Sequence, residues 1–293
     1  MRPLLLFALL FGCTCVAIAQ SKPSEEDPEL LAQYETDIEA RLAQLNNGQT
    51  DETRLAHADT LHQLIVDAVN TRGSFDYPFE GISRMGILTS PDAAFRLFNW
   101  NVPLLDETHK YYCILLYGEE QHFNWVELQA MEREAPGVER KVLNEEKWLG
   151  CLYYEIIPIK VRRKTKYTLL GWDGHNKQST RKIIEVLGLD DGNVRFGANV
   201  FKTEKGSAKR HLLKYSSEVM VSCKYDAKGD RIVMDHLEPQ DPVMKGVFAY
   251  YGPDLTFDAY VWEKGKWVYY RDVDVRMGRD AIQGPYNDPQ KRK

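Results

Sequence analysis

The chain lacks the local motifs by which many enzymes are recognised. It contains no Gly-x-Ser-x-Gly nucleophile motif, no His-Glu-x-x-His zinc motif, no P-loop and no dinucleotide-binding fingerprint. A Cys-x-x-Cys pair, the usual sign of a zinc or redox site, is also absent. The familiar nucleophile, cofactor and metal chemistries therefore have no sequence support, and we expect no cofactor and no metal ion.

The chain also lacks an excess of positive charge and a membrane-spanning apolar segment. Its 293 residues include 38 Lys and Arg against 43 Asp and Glu, which argues against a nucleic-acid partner. The apolar run near the N-terminus, Leu4 to Gly12, is much shorter than the roughly 20 residues that cross a bilayer. We therefore expect no transmembrane segment.

The first residues have the pattern of an export signal. Arg2 precedes the apolar run, and Ala17-Ile18-Ala19 places small residues before a cleavage point. This predicts a signal peptide over residues 1–19 and an exported mature chain located in the periplasm, at the outer membrane or outside the cell. A poor lipobox around Cys13 leaves lipoprotein anchoring open beside soluble export.

Only three cysteines remain after the predicted signal peptide. Cys113, Cys151 and Cys223 each lie in an apolar alternating run, which favours buried thiols. One disulfide beside a free thiol stays open, because exported compartments permit disulfides.

Two helical patterns come first in the predicted mature chain. After a polar linker over residues 20–27, apolar residues recur at spacings of three and four until Asn46-Asn47-Gly48. A second such pattern follows and runs to Arg72-Gly73, and Thr50 or Asp51 can cap its helix. The short link predicts an antiparallel helical hairpin over residues 28–72. His57 and His62 lie five positions apart and do not share a helix face, so they are not a metal pair.

The rest of the chain has the pattern of an antiparallel β domain. Short alternating runs separated by turn residues extend over residues 79–276, and a tail follows over residues 277–293. The predicted fold is therefore mainly β, with a large antiparallel domain after the helical hairpin. A sandwich, a barrel and a propeller-like arrangement all remain open.

The clearest hairpin lies between Tyr250 and Val275, with Lys264-Gly265 as its two-residue turn. Counting outward from that turn gives the pairs Glu263 with Lys266, Trp262 with Trp267, Tyr260 with Tyr269 and Asp258 with Arg271. The last three pairs share one face, because side chains alternate along a strand. Both faces carry apolar residues, which predicts a central position in a larger sheet.

This hairpin supplies the candidate binding residues, Tyr260, Trp262, Trp267 and Tyr269. Their rings could stack on sugars, although a cross-strand aromatic cluster more often belongs to a core.

Four side chains are the candidates for acid-base chemistry. Asp235 and His236 are adjacent at a strand end, and Asp254 with Asp258 could form the carboxylate pair that a glycosidase requires. The expected ion pair with Arg271 argues against that role for Asp258, because it would keep the carboxylate ionised. These residues are candidates to test, and no catalytic residue is assigned.

Four motifs carry a resemblance to known sequences. They are YTLLGWDG at residues 167–174, IVMDHL at residues 232–237, YGPD at residues 251–254 and GKWVY at residues 265–269. Together they resemble a group of exported, uncharacterised Bacteroidetes proteins over residues 80 to 276. The resemblance implies a bacterial cell-envelope address and transfers no catalytic residue.

These observations favour an exported envelope protein that acts as a non-catalytic binding or interaction module, with an envelope protein or a glycan as partner. The alternative is a hydrolase acting on an envelope or imported glycan. The ligand, the sheet topology and the oligomeric state stay open.

Overall fold

The computed structural model describes residues 27–119, 122–132, 136–190 and 192–275. The predicted signal peptide, nearly all of the linker and the predicted tail lie outside these residues. Within them, the predicted fold class is confirmed: two helices precede a large, mainly antiparallel β structure.

The two helices form the predicted hairpin. Helix α1 spans Pro28–Asn47, and its first turn is capped by Asp27, whose Oδ1 accepts a hydrogen bond from the amide of Leu30 at 3.0 Å. Helix α2 spans Asp51–Asn70, and the Thr50 hydroxyl caps it by accepting from the amide of Thr53 at 3.2 Å. Of the two residues considered as the second cap, Thr50 is therefore the one that serves.

Sixteen strands occur in the described residues. In chain order they are β1 (Gly86–Thr89), β2 (Phe95–Pro103), β3 (His109–Glu119), β4 (His122–Gln129), β5 (Leu143–Asn144), β6 (Leu152–Val161), β7 (Lys164–Asn176), β8 (Ser179–Asp190), β9 (Asn193–Phe196), β10 (Phe201–Thr203), β11 (Gly206–Ala208), β12 (Arg210–Ser216), β13 (Cys223–Asp226), β14 (Arg231–Pro239), β15 (Tyr251–Glu263) and β16 (Lys266–Tyr270).

The strands form three sheets. The first has the order β1-β2-β3-β4, and the second has the order β5-β9-β8-β7-β6 with β12 also paired to β8. The third has the order β11-β10-β16-β15-β14-β13. None of the three closes into a barrel within the described residues.

The sheets and helices stack in four layers with three hydrophobic cores. The helices pack on the first sheet, the first sheet packs on the second, and the second packs on the third. Neighbouring residues therefore belong to different cores: Leu97 lies between the first two sheets, whereas Phe98 lies under the helices. Leu169 and Leu170 divide in the same way between the second and third cores. Both inner sheets are covered on two faces, which explains their nearly continuous apolar runs.

The C-terminal hairpin has the predicted register. Tyr260 pairs with Tyr269, Trp262 with Trp267 and Glu263 with Lys266, whereas the predicted fourth pair, Asp258 with Arg271, lies beyond the paired ladder, which ends at Tyr270. Lys264 and Gly265 have φ angles of 49° and 79°, the left-handed values that a two-residue turn of this type needs. Because β15 and β16 lie in the middle of the six-stranded sheet, the predicted central position is confirmed.

Other details differ from the sequence expectations. β10 pairs with β16 in parallel, Phe201 opposite Trp267, so the β structure is not purely antiparallel. A short 3-10 turn, Phe248–Tyr250, precedes β15.

The cysteines agree with the favoured reading, since Cys113, Cys151 and Cys223 are all free and buried. No helix in the described part of the chain is long and apolar enough to cross a membrane.

Candidate binding cleft and the histidine network behind it

A cavity of about 510 Å³ opens at the edge of the third sheet. The β10–β11 hairpin forms one side, the first residues of β12 form another, and the β15–β16 hairpin closes the third. We call this cavity the tyrosine cleft, and its central lining residues are Thr203, Ser207, Ala208, His211, Tyr260 and Tyr269. Its volume lies within the range of small-molecule sites.

The deep side of the tyrosine cleft is aromatic. Tyr260 and Tyr269 face each other across β15 and β16 with ring centroids 5.4 Å apart, and the His211 ring lies 5.3 Å from that of Tyr260. The Tyr260 hydroxyl and Nδ1 of His211 are hydrogen-bonded at 3.0 Å. Tyr260 is fully buried, whereas His211 and Tyr269 are partly exposed. The cleft therefore offers the exposed parts of the His211 and Tyr269 rings, with the Tyr260 ring packed behind them.

The side chains of His211, Tyr260 and Tyr269 are uncharged at neutral pH. Burial lowers the pKa of His211 to about 4, against a smaller opposing effect of the Asp258 charge. Burial raises the pKa of both tyrosines, and the charges of Asp258 and Glu204 add to that rise. At neutral pH the deep side consequently presents an uncharged imidazole and two phenols.

The charges at the cleft mouth balance. Glu139 and Arg140 line one part of the mouth, and Glu204 with Lys205 lines the tip of the β10–β11 hairpin. All four are at least partly exposed. Two acids and two bases give the mouth no net charge.

Arg210 also borders the cleft, but its guanidinium forms its hydrogen bonds within the protein. Its Nε donates to Glu185 at 2.9 Å, and its Nη groups donate to the carbonyls of Val138, Lys141 and Phe196. Glu185 also accepts from the Tyr153 hydroxyl at 2.6 Å. Arg210 and Glu185 are completely buried, so this pair supports the cleft wall.

Behind Tyr269 lies a second polar group, which we call the His236 network: His236, Glu238, Asp258, Tyr269 and Arg271. Asp258 Oδ2 accepts from the Tyr269 hydroxyl at 2.5 Å and bonds to His236 Nδ1 at 2.7 Å. His236 Nε2 lies 3.1 Å from a Glu238 oxygen and 2.8 Å from Arg271 Nη2. The network therefore leads from the cleft to the protein surface.

The charge of His236 depends on opposing influences. Burial lowers its pKa, but hydrogen bonds to Asp258 and Glu238 outweigh burial, and the net pKa is raised. The pKa of Glu238 is lowered, first by the hydrogen bond from His236 and then by Arg271. Protonated His236 donates to both carboxylates; neutral His236, with its proton on Nδ1, can accept from Arg271.

The four acid-base candidates do not form one site. Asp235 lies on the opposite face of β14 from His236, and its Oδ2 accepts from the Ser222 amide at 2.7 Å. The adjacent pair Asp235-His236 is therefore not a dyad. His236 is instead partnered by Asp258, from the neighbouring strand.

Asp254 lies in an irregular part of β15 opposite His236. The pairing passes from Asp235–Phe257 to Leu237–Pro253, so three residues of β15 oppose His236 alone. Asp254 Oδ1 accepts from the amide and the hydroxyl of Thr256. Burial raises its pKa, but these bonds and the charge of His236 outweigh burial, and the net pKa is lowered.

The predicted ion pair between Asp258 and Arg271 is wrong. Arg271 Nη2 instead contacts Glu238 at 2.8 Å. Asp258 takes the Tyr269 hydroxyl, His236 and, at 3.3 Å, the Asp272 amide. The two residues extend the hairpin register on one side, but β14 supplies closer partners for both.

Only two of the four aromatic candidates line the cleft. Tyr260 and Tyr269 line the tyrosine cleft, whereas Trp262 and Trp267 do not. Trp267 is completely buried, and its Nε1 donates to the Thr168 hydroxyl at 2.9 Å. Trp262 is partly buried against Trp267, with ring centroids 5.0 Å apart. The tryptophans therefore belong to the third core.

Sequence reasoning missed His211, Glu238 and the β10–β11 hairpin. A signal for Glu238 existed, because alternation along β14 places His236 and Glu238 on the same face. The same rule would have separated Asp235 from His236. His211 carried no such signal, since β12 belongs to a different sheet from Tyr260.

Two acidic residues of the second sheet have basic partners. Asp173 forms a buried ion pair with Arg181, and Asp190 binds Lys164 and Lys166.

Comparisons with protein-family models, curated proteins and solved structures find no match for this chain.

Proposed function

We propose that the protein is a non-catalytic binding module of the bacterial cell envelope and that its ligand occupies the tyrosine cleft. The predicted signal peptide and the motif resemblance support the envelope address. The observation that carries the binding role is the ring-lined cavity at the edge of the third sheet, with Tyr260, Tyr269 and His211 on its deep side.

The alternative, a glycan hydrolase, has weaker support. Glycosidases use two carboxyl groups, one of which stays protonated to donate to the leaving group. Asp235 is turned away from His236, and Asp258 accepts three hydrogen bonds from the protein itself. The pKa values of Asp254 and Glu238 are lowered. All four carboxylates accept hydrogen bonds, and the lowered pKa values of Asp254 and Glu238 oppose their protonation.

A blocked cleft tests the binding role. Ser207 is exposed on β11, at one edge of the third sheet, and Ser207→Trp places a large side chain in the cleft. Lys224 is exposed on β13, at the other edge, and Lys224→Trp is the matched control. Binding is measured on the immobilised mature chain, with fractionated envelope extract and a glycan array as analytes.

We expect wild type and Lys224→Trp to retain the same analytes and Ser207→Trp to lose them. Retention by all three proteins would place the ligand elsewhere and contradict the cleft assignment. The same preparations are assayed for oligosaccharide hydrolysis beside alanine variants of Asp235, His236, Asp254 and Asp258. Turnover that a single substitution abolishes in a folded protein would contradict the non-catalytic role.

A further inference from the structure

We infer that the tyrosine cleft takes an uncharged, hydroxyl-rich ring ligand, namely a unit of a neutral saccharide. This inference rests on the proposed binding role and adds the chemical class of the ligand. It follows from three properties of the lining: its rings, its hydrogen-bonding groups and its balance of charge.

The first property is the cluster of aromatic rings in the cleft. Tyr260, Tyr269 and His211 form a contiguous cluster, with the His211 and Tyr269 centroids 6.3 Å apart. The partly exposed rings of Tyr269 and His211 give a sugar ring an apolar surface to pack on. Tyr260 lies behind them, and the two phenol hydroxyls already bond to His211 and Asp258, so the hydrogen bonds to a ligand come from the other lining residues.

The hydrogen-bonding groups are mixed in type. Ser207 provides a hydroxyl, Glu139 and Glu204 provide acceptors, and Lys205 provides a donor, whereas Thr203 uses its hydroxyl within the β10–β11 turn. Each sugar hydroxyl both donates and accepts, so a saccharide can use all of these groups. A ligand with acceptors alone would leave the carboxylates unsatisfied.

The charge balance favours a neutral ligand over a strongly ionic one. Glu139 and Glu204 offset Arg140 and Lys205 at the mouth, and Glu185 neutralises Arg210 in the wall. His211 and the two tyrosines are neutral at physiological pH. The mouth therefore has no net charge that would attract an anion or a cation, and a neutral ligand needs none.

The test uses defined probes with the full mature chain. Neutral hexasaccharides of glucose, mannose, xylose and N-acetylglucosamine are titrated by calorimetry beside an anionic hexauronate. We expect at least one neutral hexasaccharide to bind more tightly than the hexauronate. Ser207→Trp should weaken that binding at least about tenfold, equivalent to about 1.4 kcal/mol, and Lys224→Trp should leave it unchanged.

Salt provides a second readout. Binding of a neutral sugar should change less than about twofold when ionic strength rises from about 0.05 to 0.5 M, because screening acts on charges.

Tightest binding by the hexauronate, with strong salt dependence, would overturn the inference. Failure of every neutral hexasaccharide to bind at millimolar concentration would also overturn it. In either case the blocked-cleft comparison with envelope extract decides the proposed function separately. Extract components lost in Ser207→Trp alone would leave the binding role standing with a different ligand class.

Discussion

Two polar networks border the tyrosine cleft, and they differ in how they are enclosed. Glu185 and Arg210 are completely buried, and the protein itself satisfies the Arg210 guanidinium. The His236 network has a buried end at Asp258 and a half-exposed end at Glu238 and Arg271. Both contain an acid and a base, but only the second is open to solvent.

Because they differ in solvent access, the two networks should respond to different perturbations. A closed ion pair has large opposing desolvation and Coulomb energies, and removing one partner leaves a buried charge without compensation. A network that reaches the surface can exchange protons with solvent, and water screens its outer members. We therefore expect the cleft wall to be sensitive to mutation and the network behind Tyr269 to be sensitive to pH.

The largest expected effect comes from breaking the closed pair. Glu185→Ala should lower the free energy of unfolding by about 3–5 kcal/mol, because Arg210 would stay buried without its counter-charge. Urea denaturation followed by circular dichroism measures the change. Glu185→Gln, which keeps hydrogen-bonding atoms, serves as the control if the alanine variant does not fold. A loss below about 1 kcal/mol in both variants would show that the pair is not structurally important.

The next effect concerns the inner end of the open network. Asp258→Ala removes the acceptor for His236 and the Tyr269 hydroxyl, and we expect a loss of about 2 kcal/mol with a lower melting temperature. The isosteric Asp258→Asn keeps an acceptor oxygen and should lose less. An unchanged melting temperature for the alanine variant would count against the structural role.

The third prediction is a pH dependence. The pKa of His236 is raised in the folded protein, so its stabilising effect is full below the unfolded-state pKa and disappears as pH rises through the folded-state pKa. The free energy of unfolding should therefore fall more steeply between about pH 6 and pH 9 in wild type than in His236→Gln.

Charged or titratable groups around this histidine are Asp254, Asp258, Glu238, Arg271 and Tyr269. Asp254 and Glu238 have lowered pKa values, so their contributions are lost only as pH falls into the acid range. Tyr269 titrates far above neutrality. Parallel denaturation profiles for wild type and His236→Gln would contradict the assignment to His236.

The smallest effect is expected at the exposed end. Glu238 and Arg271 have side chains 50% and 47% exposed, and ion pairs of this kind contribute about 0–1 kcal/mol. Glu238→Gln should therefore change stability only slightly, as measured by urea denaturation, and less than Asp258→Ala does. A loss equal to that of Asp258→Ala would remove the distinction between the two ends of the network.

Local patterns predicted much of this fold. Helix periodicity and caps indicated α1 and α2, and the Lys264-Gly265 turn gave the complete register of β15 and β16. These features depend on residues close in sequence. The parallel pairing of β10 with β16 and the stacking of three sheets depend on contacts between distant segments, which alternation does not specify.

The candidate site could likewise be predicted only where its residues lie close together in the sequence. Tyr260 and Tyr269 were identified because one hairpin holds both. The partner of Asp258 was misassigned because β14 lies on the other side of β15, and cross-strand counting within the hairpin omits it. His211 comes from the second sheet, so only packing between layers brings it to Tyr260.

The parallel pairing of β10 with β16 also determines at which stage of chain synthesis, from the N-terminus towards the C-terminus, the cleft can form. Its lining comes from residues 137–140, 203–212 and 260–269, and β10 is held in the sheet beside Trp267. A nascent chain that has not yet reached Trp267 contains the segments of α1, α2 and the first two sheets but cannot assemble the cleft. The cleft can therefore form only after residues 260–269 have been added, later than the segments that form the helices and the first two sheets.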